Sequence, residues 1–175
     1  QCHALGRLAM RLAEQRDNAH VRLSIYQYFS AFYQHWCDPL SETLAKLDRG
    51  VEMGQSGLNP LDAGYCALLS QVNRLALGHE LADLQTRCEH SLKFLLKTRQ
   101  GATEAMLRHG VLQPLRALRG QTLSPLSLDS EDCRGSELFH RPEAPPSIPL
   151  ALYSVAQLRH AYLMGDAASW RLALP

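Results

Sequence analysis

Residues 59–78 read NPLDAGYCALLSQVNRLALG. Asn59 followed by Pro60 is a helix N-cap with proline in the first helical position, where a missing N–H goes unnoticed. Leu61, Tyr65, Leu68 and Val72 then recur at steps of three to four residues, the apolar stripe of a helix that Gly78 ends. On the N-terminal side, Asp38-Pro39 gives the same start, Leu40, Leu44, Leu47 and Val51 the same stripe, and Gly54 and Gly57 the stop. On the C-terminal side, Leu81, Leu84, Cys88, Leu92 and Leu95 form a further stripe, which Gly101 breaks.

The same period extends outward. Leu5, Leu8 and Leu12 share one helix face, and residues 22–36 predict a long helix carrying Tyr26, Tyr28, Phe29, Phe32, Tyr33 and Trp36. Leu107, Val111, Leu115 and Leu118 predict another, with Pro114 inside it; a proline there removes a hydrogen bond and clashes with the preceding turn, so a kink or an early stop near Gln113 is expected. Residues 121–147 form a Ser/Pro-rich connection with an acidic run at Asp129, Glu131 and Asp132, and one short helix is expected around Ser136 to His140. Helix resumes near Ile148, runs to Met164, and a last helical pattern covers Ala167 to Leu174. Almost no stretch alternates as a strand would.

The class is therefore all-α, over a single domain of residues 1–175. Helix ends fall at Trp36, Gly78, Gly120 and Gly165, at intervals of 42, 42 and 45 residues. A period near 40 residues with two helices per unit predicts a stack of helical hairpins, about three to four of them, that is, an α-solenoid.

Composition sets the boundaries of function. Of 175 residues, 46% are hydrophobic and 20% charged, a globular balance. The formal net charge of +1 lacks the basic excess of a nucleic-acid binder, and no run approaches the length of a membrane-spanning helix. Five cysteines, an odd number with three inside helical patterns, fit reduced thiols in a cytoplasmic protein. The chain begins with Gln1 in what already reads as helix and ends within another, so both ends read as cuts through a longer polypeptide.

The run Phe32-Tyr33-Gln34-His35-Trp36-Cys37-Asp38-Pro39-Leu40 resembles an F-x-x-H-W-x-x-P-L stretch in the helical region of very large bacterial sensor proteins. Three more local matches follow in order: Ala63-Gly64-Tyr65-Cys66, Phe94-Leu95 ahead of Arg99-Gln100, and Leu158 to Ala168. In that family a serine/threonine kinase-like domain and a STAND-type ATPase precede the helical middle, and a GAF plus histidine-kinase or diguanylate-cyclase output follows it. The family's Gly-Asp pair before the helix at Asn59 is replaced here by Gly54-Gln55-Ser56-Gly57. The resemblance implies a tetratricopeptide-like, non-catalytic interaction or spacer module in bacterial signal transduction, with nucleotide and phosphotransfer chemistry in other domains.

No catalytic, metal or cofactor site is expected. His35 and Cys37, and Cys88 and His90, lie two apart and so on opposite sides of a helix, and no C-x-x-C or H-x-x-x-H zinc spacing occurs. No glycine-rich phosphate loop is present. Arg108, Arg116 and Arg119 fall near one face, read as solvated. Core is the plainer reading for Tyr26, Phe29, Tyr33 and Trp36. Tyr28 and Phe32 occupy an adjoining strip, and whichever strip is exposed is the best contact for a partner or ligand. The candidate contact residues are Tyr28, Phe32, His35, Trp36 and Tyr65. The expected partners are other domains of the same polypeptide or a separate protein, and exposed end helices around Leu5, Leu8 and Leu12 and around Trp170, Leu172 and Leu174 would favour a homodimer. A small-molecule sensor with a pocket between helices is the alternative.

Overall fold

The computed structural model describes residues 2–16, 18–139 and 147–166. Its helices are α1 (Cys2–Gln15), α2 (Ala19–Phe32), α3 (Leu44–Gln55), α4 (Pro60–Ala76), α5 (Leu81–Lys97), α6 (Gly101–Leu107), α7 (Gln113–Leu118), α8 (Gly135–Phe139) and α9 (Ile148–Leu163). Short 3-10 turns lie at Gln34–Trp36 and Leu40–Thr43, and a π turn lies at Arg108–Leu112. Among the described residues the only β-type pairing is one isolated bridge, Ser130 with Cys133. The protein is all-α, as its sequence pattern requires. The pattern over Ala167 to Leu174, with Trp170, Leu172 and Leu174, lies outside the described residues.

The contacts group the chain into two compact units. The first comprises Gln1–Glu80 with Lys93–Gln100, the second Leu81–Leu92 with Gly101–Pro175.

In the first unit α3 and α4 make the closest hairpin, with α2 packed on both and α1 on α2. Leu23, Leu47, Ala63 and Cys66 form its buried centre, with Val51, Met53, Leu58, Leu69 and Phe94 around them. The hairpin is close because its seam is small. A Cβ at Gly54 would sit 2.0 Å from that of Ala63, and one at Gly50 2.6 Å from the Cys66 sulfur. This changes the expected stripe of α4. Leu68 is buried as expected and Tyr65 half-buried, but Leu61 and Val72 are exposed, and the face against α3 runs through Ala63, Cys66, Ala67 and Ser70. Small side chains bury because they let a neighbouring backbone approach, so a search for large apolar residues passes over them.

The start of α4 matches expectation: the Asn59 side chain accepts from the Asp62 N–H, with Pro60 in the first turn. The start at Asp38 does not. Pro39 precedes the 3-10 turn without a side-chain cap, and the Asp38 carboxylate is taken by α1, from His3 at 3.0 Å and Arg7 at 3.2 Å. The His3 hydrogen bond, helped by Arg7, holds the Asp38 carboxyl below the usual carboxylate range.

Gly57, Gly78, Gly120 and Gly165 all have left-handed backbone. All four are expected helix ends, each closed by a paired capping bond: beyond Gly57 the Leu58 N–H reaches the Met53 carbonyl, beyond Gly78 the His79 N–H reaches that of Arg74, and beyond Gly165 the Asp166 N–H reaches that of Ala161. The end expected at Gly101 moves. Arg99 takes the left-handed position at φ +56°, the Gln100 N–H bonds to the Leu95 carbonyl, and Gly101 begins α6.

In the second unit α6, the π turn and α7 form one path against α9. Ala117, Leu128, Tyr153 and Ala156 form a buried cluster beside Phe139. The regular α-helix is interrupted next to Gln113, where a kink or an early stop is expected, but the helical path continues. One π turn intervenes, in which the Gln113 N–H reaches back to the Arg108 carbonyl, and α7 resumes with Pro114 in its first turn, a position without an N–H obligation. Gly110 lies at this turn, and a Cβ there would meet that of Leu152 at 3.3 Å. The described part of the expected Ser/Pro-rich connection is ordered by burial of Leu128, Asp129, Ser130 and Cys133, and α8 forms close to where a short helix is expected.

Candidate functional site

Helix α2 turns its aromatic residues in two directions. Phe29 is buried at 4% exposure, against Gly6 and His3 of α1. Tyr28 and Phe32, four residues apart, stack on each other in the open, with ring centroids 6.2 Å apart. The reading of Tyr33 and Trp36 as core residues is overturned: both are exposed, Trp36 to 78%. The cause is the helix end. The α-helix stops at Phe32 and the chain tightens into a 3-10 turn, so the residues after it leave the 3.6 register. In that turn Gln34 goes inward, while His35 and Trp36 point out with rings 4.9 Å apart.

Four of the five candidate contact residues, Tyr28, Phe32, His35 and Trp36, are thus exposed within nine residues of chain. Tyr65 is half-buried on α4 and has no ring contact with them among the described residues. Its neighbours explain the Ala63-Gly64-Tyr65-Cys66 run in structural terms. Ala63 faces Gly54, Cys66 faces Gly50, and Gly64 makes room for the Gln100 side chain, which a Cβ there would meet at 2.0 Å. Gln100 Nε2 donates to the Pro60 carbonyl at 2.7 Å. Two of the short motifs therefore lock together.

The second unit holds a polar cluster that spacing along the chain did not reveal. Cys133 Sγ lies 3.8 Å from His109 Nδ1. His109 makes edge-on contacts with Phe139 and Tyr153. Gln113 Nε2 donates to Ser130 Oγ at 2.8 Å and to the Cys133 carbonyl at 3.4 Å. Asp129 accepts the Ser136 N–H at 3.1 Å and its hydroxyl as well. The cysteine and histidine are 24 residues apart, on either side of an irregular connection, and only the histidine and cysteine themselves signalled the pair.

Burial disfavours the charged forms of both groups. Burial pushes the Cys133 thiol up, and burial with the neighbouring Arg108 pulls the His109 imidazolium down. The thiolate, the reactive form of a cysteine, is thereby made less accessible at Cys133. The contacts read as the anchoring of a loop onto the π turn. Cys88 is buried while His90 is exposed, as two-residue spacing on a helix demands. Among the described residues no three His, Cys, Asp or Glu side chains gather as metal ligands.

The three arginines do not form an anion site. Arg108 pairs with Glu104 at 2.5 Å, and Arg116 with Asp132 at 2.9 Å and Glu89 at 3.8 Å, while Arg119 donates to Gln85. Beside Arg116, Thr122 and Glu131 line an open cleft of about 600 Å³. No described helix is long and apolar enough to cross a membrane. Comparison with family models, with curated proteins and with solved structures finds no match for this chain.

Proposed function

We propose that the chain is a non-catalytic helical-hairpin module that docks a protein partner or a neighbouring domain, of the kind that its resemblance to large bacterial sensor proteins implies between an ATPase and a signalling output. The observation that carries the docking is the exposure of Tyr28, Phe32, Tyr33 and Trp36 at the end of α2. Large aromatics contribute most of the energy of protein contacts when buried, and four so close together on a surface are costly to leave in water. On α1, Leu5, Leu8 and Leu12 add an exposed stripe opposite the face that packs on Phe29, which would serve homodimer contacts or a neighbouring helix. A cytoplasmic, bacterial setting follows from the resemblance.

Reading the open reading frame around these residues tests the setting. Kinase-like, ATPase and output domains on the same polypeptide are expected; a frame without them removes the signalling assignment. Amide hydrogen exchange of residues 28–36, in the isolated chain and in the whole polypeptide, tests the docking. Slower exchange in the whole polypeptide is expected, and equal exchange there and in lysate-reconstituted complexes would reject it.

A further inference from the structure

Helix α9, in the second unit, has two apolar sides. On one, Tyr153, Ala156 and His160 are buried. On the other, Ile148, Val155 and Tyr162 are exposed to 66%, 59% and 77%. Arg159 is the only Lys, Arg, Asp or Glu in the helix. A helix that is apolar all round is normally covered all round. The outer residues also keep a heptad. Ile148, Val155 and Tyr162 lie seven apart, and Ala151 and Leu158 each follow three residues after one of them; Ala151 is exposed and Leu158 half-buried. This is the a/d seam through which two helices interlock. Tyr153, Ala156 and His160 fall on the opposite side of the same heptad, which leaves the seam facing away from the unit's own core. The seam is also uneven along its length, with small Ala151 toward one end and large Tyr162 at the other.

We propose that this seam pairs with the same seam of a second copy of the chain, the two α9 helices running antiparallel. That orientation sets Ala151 against Tyr162 of the second copy and Val155 against Leu158 of the second copy, and the reverse. Each layer then joins a smaller side chain to a larger one, as an interlocking interface requires. Parallel pairing would stack alanine on alanine and tyrosine on tyrosine, a thin layer and a thick one in the same interface. Charge favours the same occupant. Arg159 flanks the seam and in the antiparallel pair lies beside Leu152 of the second copy, where its aliphatic stem covers apolar surface and meets no like charge. A strongly acidic or basic partner would find one charge to answer. The helix is 16 residues long, about 24 Å, and two such seams give a contact at the small end of specific interfaces, on the order of 1,000 Å² in total. The dimer should therefore be reversible and weak. The surface is separate from the leucine stripe of α1 and from the aromatic residues at the end of α2, so it does not depend on the docking assigned to them.

Sedimentation equilibrium of the full chain tests the pairing. A reversible dimer is expected, with a dissociation constant on the order of 1–100 μM. Val155→Glu places a carboxylate inside the dry seam and should weaken the dimer by at least about tenfold; Tyr162→Ser should weaken it too. Both positions are exposed in the single chain, and circular dichroism verifies that the variants remain helical. Leu8→Glu, on α1, should leave the dimer unchanged. Cross-linking reads the orientation in a Cys2→Ser/Cys37→Ser background, which lacks the two exposed thiols. Ala151→Cys mixed with Tyr162→Cys and oxidised by glutathione disulfide should join the two variants to each other in preference to themselves. One S–S bond forms between the chains as that of glutathione disulfide breaks, and two glutathione thiols carry off the two protons. A strict monomer at about 1 mM would overturn the proposal and leave the face to a different protein. So would a dimer as tight in Val155→Glu as in the parent, or Ala151→Cys joining chiefly to itself, which would make the helices parallel.

Discussion

The Arg74 guanidinium grips both carboxylate oxygens of Asp48, Nη1 to Oδ1 at 3.1 Å and Nη2 to Oδ2 at 2.6 Å, and so ties α4 to α3. Ser70 Oγ donates to the same carboxylate at 2.7 Å. Arg74 is buried at 6% exposure, while the Asp48 side chain keeps 44% of its surface. Asp48→Ala therefore strands a buried cation. The loss should be about 2 kcal/mol, below the 3–5 kcal/mol of a fully enclosed pair because water still reaches the carboxylate side. Urea unfolding followed by circular dichroism should show a lower midpoint at unchanged slope; a change under about 0.5 kcal/mol, the size of an ordinary surface substitution, would mean the pair is loose in solution.

The α3–α4 seam makes a second expectation. Gly54→Ala places a methyl 2.0 Å from the Ala63 Cβ, two groups carried on rigid helical backbone. The helices must separate, and overpacking of this type costs about 1–3 kcal/mol or more. Gly101→Ala, where a Cβ meets nothing within 4 Å, should stay within about 0.5 kcal/mol of the parent. Thermal unfolding of the two variants side by side measures the difference, and equal midpoints would show that the seam is wider than drawn.

Arg99 offers a stabilising change. Its φ of +56° lies in the left-handed region that favours glycine, and its side chain is exposed. Arg99→Gly should add about 1 kcal/mol. Gly78→Ala is the mirror experiment: φ is +73° with nothing near the missing Cβ, so a loss of about 1 kcal/mol would come from backbone strain alone. Denaturant midpoints for both should move in opposite directions.

The helices were legible because their signals are local. Asn59-Pro60 caps α4 with the bond its residue types predict, and Gly78, Gly120 and Gly165 stop helices by the left-handed geometry only glycine adopts freely. What was not legible depends on neighbours. Leu68 of the expected stripe is buried, but so are Ala63, Cys66, Ala67 and Ser70 on α4, small residues whose burial is decided by how near α3 comes. Trp36 looked like core because its spacing continues that of Phe29 and Tyr33, but a change from α-helix to 3-10 turn after Phe32 breaks the phase on which that inference rests. Asp38 looked like a cap, and its carboxylate was claimed by His3 and Arg7, more than thirty residues away. Of the candidate contact residues, Tyr28 and Phe32 followed from helical phase, whereas the exposure of Trp36 required the fold.

The five thiols should separate into two classes. Cys2 and Cys37 are exposed, and Cys66, Cys88 and Cys133 are buried. Burial, with Asp62 beside one and Glu89 beside the other, pushes Cys66 and Cys88 up to about 12, and burial also raises Cys133. Since the thiolate is the reactive form, a chromogenic disulfide reagent should label two thiols at once and the other three only on unfolding. The same shifts link stability to alkaline pH. The unfolded thiols lose their protons near pH 9 while the folded ones keep theirs to about 12, so the unfolded state binds fewer protons across that window and stability falls as pH rises through it. At one pH unit above the unfolded value each of these two thiols contributes a loss of order 1 kcal/mol. Cys66→Ala/Cys88→Ala removes both groups and should flatten the slope of stability against pH between about 9 and 11, whatever it does to stability at neutral pH. Urea unfolding across that range, parent against double variant, measures the slope; five rapidly labelled thiols, or identical slopes, would show that the two cysteines are not enclosed in the helical core.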